Sequence, residues 1–387
     1  MKPLIFSLIS LSLALAQQTP PPVQSPDVAS DGRVTFRLRA PHAQSVTVNL
    51  EGAKQPYVMQ KDDQGVWSVT TDPLAPELYG YSLSINGLRI LDPHNSAIIP
   101  NLLNPSSLLH VPGPAPMPWE DTDIPHGIVH HHFYKSAIVG DNRDFYVYTP
   151  PGYDPNASAT YPVLYLLHGY SDEANGWTAV GKANLILDSL LAQSKIVPMV
   201  VVMPLGYGAP EIVQRTPTFG APFNNAALRE KNFNNFRAAL IDEVMPRIEK
   251  LYHVRTDRDS RAIAGLSMGG SETLLTGLNR LDKFSWIGSF SAGGLDSDYA
   301  SDFPQLSAAA NSQIHLLWIA CGTEDRLIKA NRDLVAWLKS KDIRLTQIET
   351  PGMHTWLVWR NNLLDFTPLL FRGAPGQVGA AITSPEK

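Results

Sequence analysis

Cysteine is almost absent: one thiol, Cys321, in 387 residues leaves no intramolecular disulfide to hold the fold. It closes the apolar run "HLLWIAC" and reads as a buried core thiol. Charge is sparse as well, 17% of residues with a net of −5 and no basic block, which excludes an electrostatic surface for nucleic acid or anionic membrane. No apolar run of membrane-spanning length follows the first sixteen residues. There, Lys2, a short apolar stretch and Ala14-Leu15-Ala16 make the pattern of a secretory signal at 1–16, cleaved after Ala16. The stretch is short for a bilayer span, and no cysteine at the cleavage point offers a lipid anchor. The expectation is a secreted or periplasmic protein with no membrane partner after cleavage, and nothing in the sequence speaks to oligomeric state.

Clustered metal ligands are lacking too. In "HGIVHHHF", His130, His131 and His132 are adjacent, and adjacent strand residues point to opposite faces, so at most His130 and His132 could share an ion. No metal or cofactor is expected. Asn142, Arg143, Glu230 and Lys231 read as solvated turn and loop residues.

What is present divides the chain by texture. A proline-rich linker, 17–26, precedes 27–112, where short alternating segments such as "RVTFRLRAP", "SVTVNL" and "YGYSLSING" separated by turns predict a small antiparallel β-sandwich. A second proline-rich linker, stiff, covers 113–125. From 126 to 372 the runs "YPVLYLLHG", "PMVVVMPLG", "SRAIAGLS", "SWIGSFSAG" and "IHLLWIACG" are continuously apolar, as parallel strands covered on both faces require, and helical patterns lie between them. "FYKSAIVGDNRDFYVYTPPGY" reads as an edge hairpin, and "NFRAALIDEVMPRIEKLY" as an amphipathic helix kinked at Pro246. The fold class is therefore α/β, a doubly wound sheet preceded by a β-sandwich. The tail, 373–387, reads as disordered.

Chemistry enters at "AIAGLSMGGSETLL". A buried strand, "RAIAG", runs into a helix at Ser267, and Gly265 and Gly269 allow the tight approach such a turn needs. A hydroxyl there projects at the carboxyl edge of the sheet, where the helix N-terminus favours a developing oxyanion. If Ser267 is a nucleophile of the α/β-hydrolase kind, acid and histidine must follow it in that order. Only His315 and His354 follow. His315 opens its strand at the wrong end, whereas His354 sits in the loop "TPGMHTW" after the strand "RLTQIE". For the acid, "CGTEDRLI" offers Glu324 and Asp325, and Asp296, Asp298 and Asp302 are outside candidates. Oxyanion donors are expected from the Met268 N–H, directly after the serine, and from the Tyr170 N–H in "YLLHGYSDEANGW". His168 in that turn reads as structural. Trp177 either packs against substrate or closes the loop, and it is carried as a substrate-binding candidate.

These motifs, "YLLHGY…NGW", "AGLSMGG", "CGTEDRLI" and "PGMHTWLVW", resemble the putative-esterase family of α/β-hydrolases, which includes carbohydrate esterase family 1 feruloyl and acetylxylan esterases, enterochelin esterases and mycolyltransferases. The resemblance covers about 126–372. It implies an α/β-hydrolase fold, a triad of Ser267, Asp325 and His354, and oxyanion donors at Tyr170 and Met268. Met353 departs from the family, where a second glycine often precedes the histidine. The front segment resembles the early-set, carbohydrate-binding-module-48 type of sandwich found before some xylan-active esterases. Together the two resemblances imply a secreted serine esterase acting on feruloyl or acetyl esters of plant polysaccharide such as xylan. A siderophore esterase and a non-catalytic glycan-binding protein on a hydrolase scaffold are the alternatives. The segment after "VVVMPLG" should border the pocket, with Tyr207, Phe219 and Phe223 flanking an aromatic acyl group.

Overall fold

The structure, a computed structural model, describes residues 22–372. The signal at 1–16, residues 17–21 of the first linker and the tail at 373–387 lie outside the described residues. Among the described residues no helix is long and apolar enough to cross a membrane.

The N-terminal strands alternate as their sequences demand. In Val34–Arg39 the residues Val34, Phe36 and Leu38 are buried, and in Val46–Leu50 so are Val46, Val48 and Leu50. The strands form two antiparallel sheets. One runs Asp27–Val28, Val34–Arg39, Val66–Thr70, Gln60–Lys61; the other is built on Val46–Leu50, Glu77–Ile85 and Ser106–Val111. Their inner faces share a core with Trp67, Tyr79 and Tyr81 inside it.

The second region is an eight-stranded sheet in the spatial order Ile128–Lys135, Asn142–Thr149, Val200–Pro204, Val163–Leu167, Arg261–Leu266, Trp286–Phe290, Leu316–Gly322, Thr346–Thr350. The first two strands are the expected edge hairpin, paired from Ile128 with Thr149 to Lys135 with Asn142, and the other six are parallel. The four parallel strands from Val163–Leu167 through Trp286–Phe290, with Val200–Pro204, are buried at every residue, which explains their unbroken apolar runs. The order reverses at Val163–Leu167, whose neighbours on either side are Val200–Pro204 and Arg261–Leu266. That reversal opens a crevice at the carboxyl ends of the strands.

Two expectations are revised. The helical segment around Pro246 bends through a π-helical turn, Leu240–Val244, between helices Ala226–Ala239 and Met245–Leu251. Pro246 falls in the first turn after it, where its missing N–H costs least. The linker 113–125 is more than a spacer, because Trp119 is buried among core residues of the second region with the Arg360 guanidinium 5.6 Å from its ring centroid.

The two regions meet on the helix Trp356–Phe366. Leu357 packs against the sandwich core, while Trp356, Trp359, Leu363 and Phe366 pack into the core of the other region. Arg360, fully buried, donates to Glu77 Oε1 at 3.1 Å, the Leu78 carbonyl at 2.6 Å and the Val180 carbonyl at 3.1 Å.

Candidate active site

Ser267 lies between the strand Arg261–Leu266 and the helix Met268–Gly277, with φ 52° and ψ −115°, a strained backbone that turns its side chain out of the sheet edge. Glycine is needed on both sides. A Cβ on Gly265 would lie 2.5 Å from the Gly269 carbonyl oxygen, and one on Gly269 would collide with the His168 carbonyl. The turn is tied down by Ser267 N–H to Phe290 O at 2.8 Å and Gly293 N–H to Ser267 O at 3.0 Å.

His354 Nε2 stands 2.9 Å from Ser267 Oγ, and its Nδ1 stands 2.8 Å from Asp325 Oδ2. An ionised carboxylate only accepts, so Nδ1 carries the proton and Nε2 accepts from the serine hydroxyl. Asp325 is buried. Burial raises its pKa, but the His354 hydrogen bond and charge, the Leu327 N–H and the Ser291 hydroxyl outweigh that and hold it below the usual carboxylate value. Trp359 meets the imidazole edge-on at 4.8 Å and donates Nε1 to Ser291 Oγ at 3.3 Å, so one indole steadies both histidine and acid.

The other acid candidates point elsewhere. Glu324 is solvent-facing and pairs with Lys54 at 3.3 Å. Asp296 pairs with Arg229 at 2.5 Å, Asp298 caps the turn Tyr299–Asp302, and Asp302 is raised to about 6, chiefly by burial. His315 pairs with Asp259 at the far end of its strand.

The Met268 N–H belongs to the first residue of its helix, and the Tyr170 N–H has no protein acceptor among the described residues. The Tyr170 loop abuts the serine: a Cβ on Gly169 would lie 3.3 Å from Ser267 Cβ. His168 is buried in that turn. Its Nε2 accepts from Gly206 N–H at 2.8 Å, its Nδ1–H donates to the Gly169 carbonyl, and burial pushes its pKa down to about 4.

Three assignments are corrected. Trp177 has no exposed surface: its Nε1 donates to Leu167 O at 2.9 Å and its ring packs edge-on against Trp356 and Phe290, so it belongs to the core and cannot bind substrate. Tyr207 is buried with its hydroxyl donated to Asp172 O, away from any acyl group. Arg143 is buried, donating to the Tyr207 and Leu205 carbonyls. The aromatic group that does gather beside the site is Tyr170, Phe219 and Phe223, with ring centroids 5.7 and 5.0 Å from Tyr170. The motif "YLLHGY" points to the Tyr170 amide and carries no signal for its ring, whose aromatic neighbours lie some fifty residues further along the chain. His130 and His132 turn to Thr149 and Tyr252, and His131 to Asp144.

A family model described as "Putative esterase" matches residues 136–370, and one described as "Carbohydrate-binding module 48 (Isoamylase N-terminal domain)" matches 24–99. The chain is 31% identical, over 91% of its length, to an endo-1,4-beta-xylanase/feruloyl esterase of Xylanibacter ruminicola, of which it spans 46%. It is 23% identical to an acetyl esterase of Caldicellulosiruptor saccharolyticus, over 54% of this chain and 82% of that one. In fold it is similar to a ferulic acid esterase of Anaeromyces mucronatus (TM-score 0.56, 23% identity, 66% of this chain and 96% of that one). It is also similar to the enterobactin esterase of Shigella flexneri (TM-score 0.64, 19% identity, 87% and 92%). The chain belongs to the putative-esterase family, with an α/β-hydrolase fold behind a module-48-type sandwich.

Proposed function

We propose that this member of the putative-esterase family is a secreted serine hydrolase that cleaves feruloyl or acetyl esters of plant polysaccharide such as xylan. The observation that carries the reading is the continuous relay of Ser267, His354 and Asp325 at 2.9 and 2.8 Å. In the first half-reaction His354 Nε2 takes the Ser267 proton as Oγ attacks the ester carbonyl, and the oxygen gathers negative charge against the Met268 and Tyr170 amides. The tetrahedral intermediate collapses, the C–O bond to the sugar breaks, and His354 returns the proton to the departing alkoxide. Water, deprotonated by His354, then attacks the acyl-serine, the bond to Oγ breaks to release the acid, and His354 returns the proton to Ser267. Asp325 holds the imidazole in the useful tautomer and stabilises its cation throughout.

Substrate class draws on what flanks the serine. Tyr170, Phe219 and Phe223 offer aromatic faces to an acyl group. Gly293, whose added Cβ would lie 3.6 Å from Ser267 Oγ, leads through Gly294 to a polar cleft of about 770 Å³ lined by Arg229, Asn234, Asp296 and Asp298, suited to a hydroxyl-rich alcohol. The xylanase/feruloyl esterase relative supports this choice, and the leader-like residues 1–16 support export.

The test is hydrolysis of methyl ferulate and of a short acetyl ester. Ser267→Ala and His354→Ala should each lose about 10⁴-fold or more in kcat while staying folded; most activity retained in either would overturn the assignment. Acetyl turnover alone would name acetylxylan, and cleavage of ferric enterobactin in place of both would name the siderophore class.

A further inference from the structure

We infer that the N-terminal sandwich braces the catalytic centre, with Glu51 and Asn101 as positioning residues that hold the histidine loop and the oxyanion loop in register with Ser267. The inference rests on the serine-hydrolase reading above and adds a dependence which that reading does not require.

Glu51 follows the sandwich strand Val46–Leu50. Its Oε2 accepts from Gly80 N–H at 2.8 Å within the sandwich, and its Oε1 accepts from Trp356 N–H at 2.9 Å across the interface. Trp356 is the first residue of its helix, two positions after His354, and Thr355, at the cap position, makes no side-chain cap. The carboxylate therefore does in trans what a local serine or aspartate does elsewhere, satisfying an orphan N–H at the positive end of the helix. Arg360, one turn on, is locked to Glu77 and Leu78 of the sandwich, so the helix cannot swing about the first contact.

The second strap lies in the loop just ahead of the sandwich strand Ser106–Val111. Asn101 Nδ2 donates to Asp172 Oδ1 at 3.0 Å, and Leu102 N–H donates to Ser171 O at 2.8 Å. Ser171 has φ 71°, an unfavourable conformation for a residue with a Cβ, and it immediately follows Tyr170, whose amide is the proposed oxyanion donor. Asn101 is itself fixed, its Oδ1 accepting from the Leu103 and Asn104 amides, and Arg215 donates to the Leu102 and Leu103 carbonyls from the other side. Glu51, Asn101, Asp172 and Trp356 line one groove, so both straps issue from a single face of the sandwich. A further interdomain pair, Lys54 with Glu324, is exposed and is left out because such pairs hold little.

Misplacement of catalytic groups by about 1 Å costs on the order of 100-fold in rate. Glu51→Ala, Asn101→Ala and the double variant would be assayed on methyl ferulate, at a temperature where each is folded by circular dichroism, together with the rate of Ser267 phosphonylation by a fluorophosphonate. The expected result for the double variant is a kcat roughly 10- to 100-fold down with KM within about threefold, and phosphonylation slowed in parallel. Lys61→Ala, on the sandwich but outside the interface, should match wild type. A folded double variant with wild-type kcat and phosphonylation would overturn the brace while leaving the hydrolase reading intact. A wild type that neither hydrolyses ester nor takes the phosphonate would remove the reading itself. If the double variant does not fold, the single variants decide: wild-type kcat and phosphonylation in both folded Glu51→Ala and folded Asn101→Ala would overturn the proposal.

Discussion

Two loops at the carboxyl edge of the same sheet each bury an aspartate, and the two aspartates have opposite chemistry. Asp325 follows Leu316–Gly322 and is held ionised because a histidine, an amide and a hydroxyl all face it. Asp172 follows Val163–Leu167, receives neutral donors from Asn101 and Gly169, and is pushed by burial up to about 7. Burial at a strand end is thus common to both and distinguishes neither. What makes an acid able to serve a nucleophile is a partner that becomes positive during the reaction.

Removing the charge at the first aspartate breaks the comparison most sharply. Asp325→Asn keeps the shape but leaves the imidazole in the wrong tautomer, and kcat on methyl ferulate should fall by about 10³- to 10⁴-fold; a loss of under tenfold would show that Asp325 has no such role. The second aspartate should speak through stability. With a folded pKa near 7 against an unfolded value near 3.8, the folded state holds a proton that the unfolded chain has released, so its contribution weakens as pH rises between those values. The urea-unfolding free energy of wild type minus that of Asp172→Ala should fall by about 2–3 kcal/mol from pH 5 to pH 8. A difference that does not change with pH would place the Asp172 carboxyl in the ordinary range. Glu324→Gln sharpens the comparison from the small side. The exposed carboxylate beside Asp325 should be replaceable with kcat within about twofold and stability within about 0.5 kcal/mol.

Strand ends were readable in the sequence because fully buried strands are written as unbroken apolar runs, and residues that leave those ends fall on one edge of the sheet. On that ground Ser267 and His354 fall at strand ends, whereas Glu324 and Asp325 leave the same end together and only the family resemblance separates them. Side-chain direction within the loops is not readable in this way. Trp177, which the sequence leaves between substrate contact and loop closure, and Tyr207, which it places toward an acyl group, both turn into the core; Arg143, which reads as solvated, is buried, and nothing local separates an aromatic that lines a site from one that seals it. Pro246 marked an irregularity, but the chain bends one turn earlier through a π-helical segment. Least legible were Glu51 and Arg360. Their partners lie 305 and 283 residues away, and no periodicity or spacing reaches that far.

Leu357 closes the sandwich core from the opposite end of the chain. During synthesis the strands of the sandwich emerge before the helix Trp356–Phe366, one residue of which packs against their core, and domains otherwise fold as units from the N-terminus. The sandwich core is therefore expected to close fully only when that helix docks. A nascent chain halted before residue 356 should remain sensitive to protease within Val46–Leu50 and Glu77–Ile85, and release of the final helix should close both regions together.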